Sequence, residues 1–377
     1  MNTAPEFAPY PLVAVPVYSR WLASGVALLA LVSSASVFLR PFIEPRLAAV
    51  GVAGVLMIWV VAFLLRVLHY RLNRHNAQCY AEAVERVCTA WWAHHRQRGA
   101  LIETVLIGPS CSAPEHRQGV FDPDTQLPAP HETSEGATLR LQQVFGTDTA
   151  ERERQLAVLL ALQWQAQRTE GSLVQPVCCY WQGSLPAWQA FAQQMRVCFP
   201  QVELPAQPET WQGIRSVDAI IDRLQGAAPA TRILCAGCQS TAPQRQSRLP
   251  AGEAGVLWWL GPQGGVSLTR GEGFAAGAES LAAVAARALK QGELEGPAQR
   301  CVSFTQPDVA EVSTTGWPIK QNVQDGHFGE LAHLQPFVVQ TLAAWYAEQH
   351  GEPCTWLSSD LHHTLALGVV KPDESSR

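Results

Sequence analysis

The pattern of apolar and polar positions divides the chain into two unlike parts. Residues 21–39 are apolar and uncharged, and after a polar interruption holding Arg40, Pro41, Glu44, Pro45 and Arg46 a second such run covers residues 47–65. Each run approaches the roughly 20 residues that a helix needs to cross a bilayer core. A secretory signal is the competing reading of the first run, but it begins beyond residue 20 and a second span follows at once. The two runs therefore predict a transmembrane helical hairpin, with Ala30, Ser34, Gly51 and Gly54 available for close helix packing.

Beyond the hairpin the period changes. Tyr70, Leu72, Cys79, Ala83, Val84, Val87, Cys88, Trp91 and Trp92 form an apolar stripe that continues as a helix to about residue 98. Strands and helices then alternate: a strand at 101–107, a long loop at 108–136, a helix from Thr149 to Gln167, a strand at 174–180 and a helix at 185–198. A short strand at 202–204, a helix around 217–224, and strands at 232–237 and 255–260 follow. Gly264-Gly265 reads as a hairpin turn into a strand at 266–269, and a helix at 277–290 and a strand at 302–304 come next. The closing unit is a turn at 322–329 running into an apolar helix at 337–346, then two strands within 353–370. Such alternation predicts an α/β domain with a parallel or mixed sheet and helices on its faces. The expected divisions are a flexible proline-rich tail (1–20), two transmembrane helices (21–69), a connecting helix (70–100), and two α/β halves (101–200 and 201–377).

Composition narrows the class. The 377 residues are 47% hydrophobic and 16% charged, which suits a folded region behind a membrane segment. A net charge of -5 with no lysine or arginine run argues against a nucleic-acid partner. Arg20 precedes the first span and Arg66, Arg71 and Arg74 follow the second, whereas the turn sets Arg40 and Arg46 against Glu44. The excess places both termini in the cytoplasm of a bacterial inner membrane. The ten cysteines have no repeating spacing and fit reduced thiols; Cys178-Cys179 and Cys235-Ala236-Gly237-Cys238 lack the second pair or histidines of a zinc site. No metal or cofactor is expected.

Candidate chemistry centres on Gly326-His327. A tight turn opening a helix puts an imidazole at a helix N-terminus, where backbone N–H groups favour neutral imidazole or an adjacent anion. The chain contains neither GxxxxGK[ST] nor GxSxG. Gly271 to Gly277 has the spacing of a dinucleotide-binding turn, although the plainer reading is a turn built on glycines. His94-His95 and His362-His363 are adjacent pairs whose rings point different ways, and are read as solvated. Trp91, Trp92, Trp258 and Trp259, among thirteen tryptophans, read as core or interface anchors.

Several blocks together carry a resemblance. The helix from Ser216 to Gly226, the strand from Ile233 to Gly237, Gly252-Glu253-Ala254-Gly255 before an apolar strand, the Gly326-His327 turn and the closing strands resemble, in order, the C-terminal half of thiolase-like β-ketoacyl synthases over about residues 200–372. The resemblance implies layered helices and sheets in five layers, and a cysteine opening a helix with two histidines, or a histidine and an asparagine, beside it, to attack a thioester and stabilise its oxyanion. That cysteine should fall near Gly213-Ile214-Arg215-Ser216, and no cysteine lies between Cys198 and Cys235. The first histidine block has only Ser313-Thr314-Thr315-Gly316 in its place. His327 matches the family's Gly-His histidine and is expected as a structural remnant of the catalytic set. The resemblance also implies a two-fold homodimer, for which the many exposed-looking tryptophans are expected anchors.

A membrane anchor followed by His116-Arg117-Gln118 is similar in outline to adaptor proteins that load lipase effectors onto the bacterial type VI secretion machine. The expected function is thus a membrane-embedded, non-catalytic thiolase-like adaptor for a protein or acyl-carrying partner. The alternative is an active membrane-tethered acyl-condensing or acyl-transfer enzyme, with Cys111 or Ser216 as its nucleophile.

Overall fold

The structure, a computed structural model, describes residues 5–38, 44–168, 173–305 and 309–373. Its two compact units are Asn2–Ala93 and His94–Arg377.

The first unit holds α1 (Tyr18–Phe38) and nearly all of the 51-residue α2 (Pro45–His95). Both are long and apolar enough to cross a membrane, and their apolar stretches are almost wholly exposed. The glycine that allows their close approach is Gly25, where an added Cβ would stand 2.8 Å from the Trp59 ring; Gly51 and Gly54, expected at the contact, face open space. Trp59 Nε1 donates to Ser24 Oγ at 3.2 Å. Residues 39–43, most of the expected turn, lie outside the described residues.

Residues 5–17, expected as a flexible tail, form no helix or strand but run along α2 as a strap. The carbonyls of Ala8, Pro11 and Ala14 accept from Tyr80 Oη (2.9 Å), Asn73 Nδ2 (3.2 Å) and an Arg66 guanidinium nitrogen (3.0 Å), and Val13 N donates to Asn73 Oδ1 (2.9 Å). Arg66, Tyr70, Asn73, Ala77 and Tyr80 are half-buried at alternating spacings of four and three residues, the strip of α2 that a straight strap covers.

The second unit is built on one mixed sheet. Its elements are β1 (Arg98–Ile107), a short β2–β3 hairpin (His131–Thr133, Gly136–Thr138), α3 (Thr149–Gln167), β4 (Cys178–Gln182), α4 (Leu185–Cys198), β5 (Glu209–Thr210), α5 (Ile214–Leu224), β6 (Ile233–Ser240) and β7 (Glu253–Gly261). They continue with β8 (Val266–Thr269), β9 (Glu272–Phe274), α6 (Leu281–Gln291), β10 (Cys301–Ser303), α7 (Asp325–Phe328), α8 (Gln335–His350), β11 (Cys354–Ser358) and β12 (Leu365–Lys371). Strand order is β10-β11-β12-β8-β1-β7-β6-β4-β5, with β9 on β12. β10–β11, β4–β6 and β4–β5 are parallel and the other pairs antiparallel.

The strand period of two sorts side chains into three cores separated by two sheet halves. Val105, Ile107, Trp181, Leu234, Ala236, Leu257 and Trp259 pack on α3 and α4. Their neighbours Leu106, Tyr180, Cys235, Val256 and Trp258 pack from the other face onto α5 and α8, where Val302, Trp356, Ala366 and Val370 also meet. Leu357, Leu365, Leu367 and Phe274 turn outward onto α6. The result is five layers: helices, sheet half, helices, sheet half, helix. α8, buried on every side from Gln335 to Ala347, is the middle layer, as an all-round apolar helix requires.

Several expectations are corrected. Gly264-Gly265 does not make a hairpin: β7 and β8 both run antiparallel to β1 on its opposite edges, so the link crosses the β1 backbone. The predicted strand at 174–180 begins at Cys178, after Pro176, which lacks an N–H for a ladder. The strand expected at 202–204 is absent, and Glu209–Thr210 pairs with β4 instead. Most of the tryptophans expected as exposed anchors are interior, with Trp164, Trp188, Trp211, Trp258, Trp345 and Trp356 fully buried, while Trp21, Trp59, Trp91 and Trp92 are half-buried.

Candidate functional site

The N-terminus of α5 is where the resemblance puts a nucleophile. Ile214, Val217, Ile220, Ile221 and Leu224 bury one face of this helix in the middle layer, which fixes its start. Gly213, the residue before it, has φ 61° and ψ -136°, a conformation that side chains resist. A Cβ at Gly213 would stand 2.1 Å from Asp360 Oδ1. The space a nucleophilic side chain would need is therefore filled by a carboxylate.

Asp360 reaches that space from the turn between β11 and β12. Its side chain is fully buried, its Oδ1 accepts from Ile214 N at 3.3 Å, and its Oδ2 accepts from His362 N at 3.0 Å. His363 Nδ1 lies 2.8 Å from the same Oδ2, and Gly273 lies close against the imidazole ring. An anion at a helix N-terminus is favoured by the free N–H groups and the dipole. Ser216, the alternative nucleophile, is buried in the first turn of α5, and its Oγ accepts from Gln212 N at 2.8 Å, tying the helix to the segment before it. A cavity of about 340 Å³ opens beside Asp360, lined also by Glu330, His333, Gln335 and Ser359.

The Gly-His turn forms a second, separate cluster. His327 sits in the one-turn α7, closed by Gly329 at φ 70°, and not at the start of the long helix as expected. His327 Nδ1 lies 3.0 Å from Ser110 Oγ, and Ser110 Oγ donates to the His327 carbonyl at 3.2 Å. One hydrogen-bond order satisfies both: Nδ1–H donates to the hydroxyl, and the hydroxyl donates to the carbonyl. Burial lowers the His327 pKa below the usual imidazole range, so the ring is neutral near pH 7. Cys111, next to Ser110 in the chain, is fully buried, and burial pushes its thiol far above the usual range against the opposing charge of Arg117. No hydrogen bond among the described residues joins His327 to Cys111, Ser216 or Asp360, and His327 does not line the 340 Å³ cavity.

Two glycine blocks of the resemblance do meet. Gly252 N donates to Glu330 O at 3.1 Å and Glu330 N to Pro250 O at 2.9 Å, and a Cβ on Gly252 would lie 2.0 Å from the Phe328 carbonyl. Glu253 between them is fully buried and takes two bonds from Arg152 (2.6 and 2.8 Å), one from Leu141 N (2.6 Å) and one from Ser240 (3.1 Å). It is a structural anion that holds loop and strand together.

The remaining candidates are placed elsewhere. Cys235 and Cys238 project from opposite faces of β6 into different cores, so they cannot chelate together. Glu272, within the supposed dinucleotide turn, lies on β9 and pairs with Arg287 at 2.8 Å. Ser313-Thr314-Thr315 form a 3₁₀ turn capped by Gly316. Arg117 stacks on Trp345 at 4.7 Å and donates to Thr104 O at 3.1 Å, a clamp between β1 and α8 that lends the secretion-adaptor likeness no support. Sequence reasoning missed the Asp360–His363 pair; the available signal was the Asp-x-x-His spacing in a turn between two strands.

No family model matches the chain, and no curated protein matches it. It is similar to solved ketosynthases of the thiolase-like type. The ishigamide ketosynthase/chain length factor is 13% identical with a TM-score of 0.48, covering 73% of this chain and 99% of that one. A β-ketoacyl-[acyl carrier protein] synthase III from Thermus thermophilus is 12% identical with a TM-score of 0.41, covering 72% and 98%. A Streptomyces albus oxazolomycin ketosynthase domain is 11% identical with a TM-score of 0.41, covering 73% and 95%. All three TM-scores lie below 0.5.

Proposed function

We propose that this chain is a membrane-anchored, non-catalytic thiolase-like protein that serves as a binding or adaptor module for a protein or acyl-carrying partner. The observation that carries the non-catalytic part is the Asp360 carboxylate standing where a side chain at position 213 would be. A thioester attacked at the start of α5 needs a nucleophile there, and this position offers hydrogen alone. The neutral His327, bonded through Nδ1 to Ser110, is a remnant that braces the turn.

Anchoring is supported by two apolar helices of spanning length whose apolar stretches stay almost wholly exposed among the described residues. The strap supports the orientation, because its bonds keep residues 8–14 beside residues 66–80 and so on one side of a bilayer. We assign that side to the cytoplasm of a bacterial inner membrane. The test is to incubate the full chain in detergent with acyl-coenzyme A thioesters and read intact mass and free thiol release. No adduct and no release above the protein-free rate are expected. A stoichiometric acyl adduct that disappears in Cys111→Ser or Ser216→Ala would establish the enzyme instead.

A further inference from the structure

We infer that residues 66–75 of α2 bind the headgroups of anionic phospholipids, an inference that rests on the anchoring reading above. Within these residues stand Arg66, His69, Arg71, Arg74 and His75, and no acidic residue occurs between Glu44 and Glu82. The basic stretch begins immediately after the apolar run 47–65, at the level where a spanning helix would leave the hydrocarbon. That level is marked by an aromatic cluster: Phe63 lies 5.7 Å from both Trp59 and Trp21, and 6.1 Å from Tyr18. Aromatic rings of this kind concentrate at the headgroup boundary.

The charge on this surface is not neutralised internally. Arg66 donates to the Ala14 carbonyl, an uncharged acceptor. Arg71 and Arg74 are exposed and make no ion pair or side-chain hydrogen bond among the described residues. The strap's one acid, Glu6, lies in sequence beyond Ala8, which bonds Tyr80 further along the helix. With about 100° of rotation per residue, Arg71, Arg74 and His75 share an arc of roughly 100° beside the strip that the strap covers. At about 1.5 Å per residue, Arg74 stands on the order of 12 Å above Arg66, so the patch spans the headgroup layer and the zone just outside it. Basic side chains there are drawn to anionic lipid. Phosphate chemistry is shared with free phosphate ion, but a patch starting at the mouth of an apolar span fits the lipid.

The test uses the full chain. It is first reconstituted in neutral phosphatidylcholine vesicles and washed with alkaline carbonate; loss from the vesicles sinks the anchoring reading and this inference with it. The detergent-solubilised chain is then given equimolar phosphatidylglycerol and phosphatidylcholine, and retained lipids are counted by native mass spectrometry. Preferential retention of phosphatidylglycerol is expected, falling on the order of fivefold for each arginine removed in Arg71→Gln and Arg74→Gln. Arg248→Gln, an exposed arginine elsewhere, should leave the ratio unchanged. Equal retention of the two lipids by an anchored protein, an unchanged ratio in the double variant, or abolition by inorganic phosphate overturns the inference alone.

Discussion

Replacing Gly213 by alanine puts two costs on one position. The backbone there has φ 61°, and the new methyl would sit 2.1 Å from Asp360 Oδ1. Strain and overpacking together should cost about 2–5 kcal/mol. Thermal unfolding of Gly213→Ala, Asp360→Gly and the double variant should show the pair to be non-additive, with part of the loss recovered when the carboxylate is gone. Additive losses would mean that Asp360 does not occupy the space. His327 makes a separate prediction. Its folded pKa lies below the ordinary 6.5, so as the pH is lowered beneath 6.5 the unfolded chain binds more protons and stability is lost until the folded value is passed. The unfolding midpoint of the parent should therefore drop more between pH 7.5 and 5.5 than that of His327→Gln; equal slopes would contradict the burial. At this scale the sequence reveals the Gly-His turn, because glycine and histidine mark it locally. It hides the contact between Asp360 and Ile214, whose separation of 146 residues only folding removes.

Among the elements, the crossing between β7 and β8 is the sharpest test of topology. Gly264 and Gly265 both have positive φ, but an added Cβ finds open space at Gly264 and would lie 2.2 Å from the Leu101 carbonyl at Gly265. Gly264→Ala should cost about 1–2 kcal/mol of strain. Gly265→Ala should cost several kcal/mol more or prevent folding, because the obstacle is backbone rather than a movable side chain. A comparison of their unfolding midpoints checks this; equal effects would fit the simple hairpin that two adjacent glycines suggest. α3 and α4 are legible because each carries its own buried stripe and a local start signal, Asp148 accepting from Ala150 N and Glu151 N for α3 and Pro186 in the first turn of α4. The order of strands is not legible, since a run such as 266–269 has the same pattern on either edge of β1.

For the whole molecule, the change of period near residue 66 separates an apolar helix pair from an α/β body in the sequence, whereas α2 runs on without a break and the two compact units divide between Ala93 and His94; the five layers follow from side chains alternating between cores. Tryptophan content is no guide to pairing between copies, because it says nothing about which rings face outward. Orientation has a direct check in Cys79, an exposed thiol. An impermeant maleimide should modify it in inverted inner-membrane vesicles and leave it untouched in spheroplasts, with Cys79→Ser as the control; the opposite result reverses the proposed topology. The strap adds a constraint of length. Its carbonyl acceptors recur every three residues, at Ala8, Pro11 and Ala14, while their donors Tyr80, Asn73 and Arg66 recur every seven. A polyproline segment advances about 9.3 Å in three residues and a helix about 10.5 Å in seven. The two graduations work like a vernier, nearly coincident over a few marks and sliding apart beyond them. One residue inserted between Ala8 and Pro11 should throw the marks out of step and raise amide hydrogen exchange on its far side, and three should bring the scales back into coincidence.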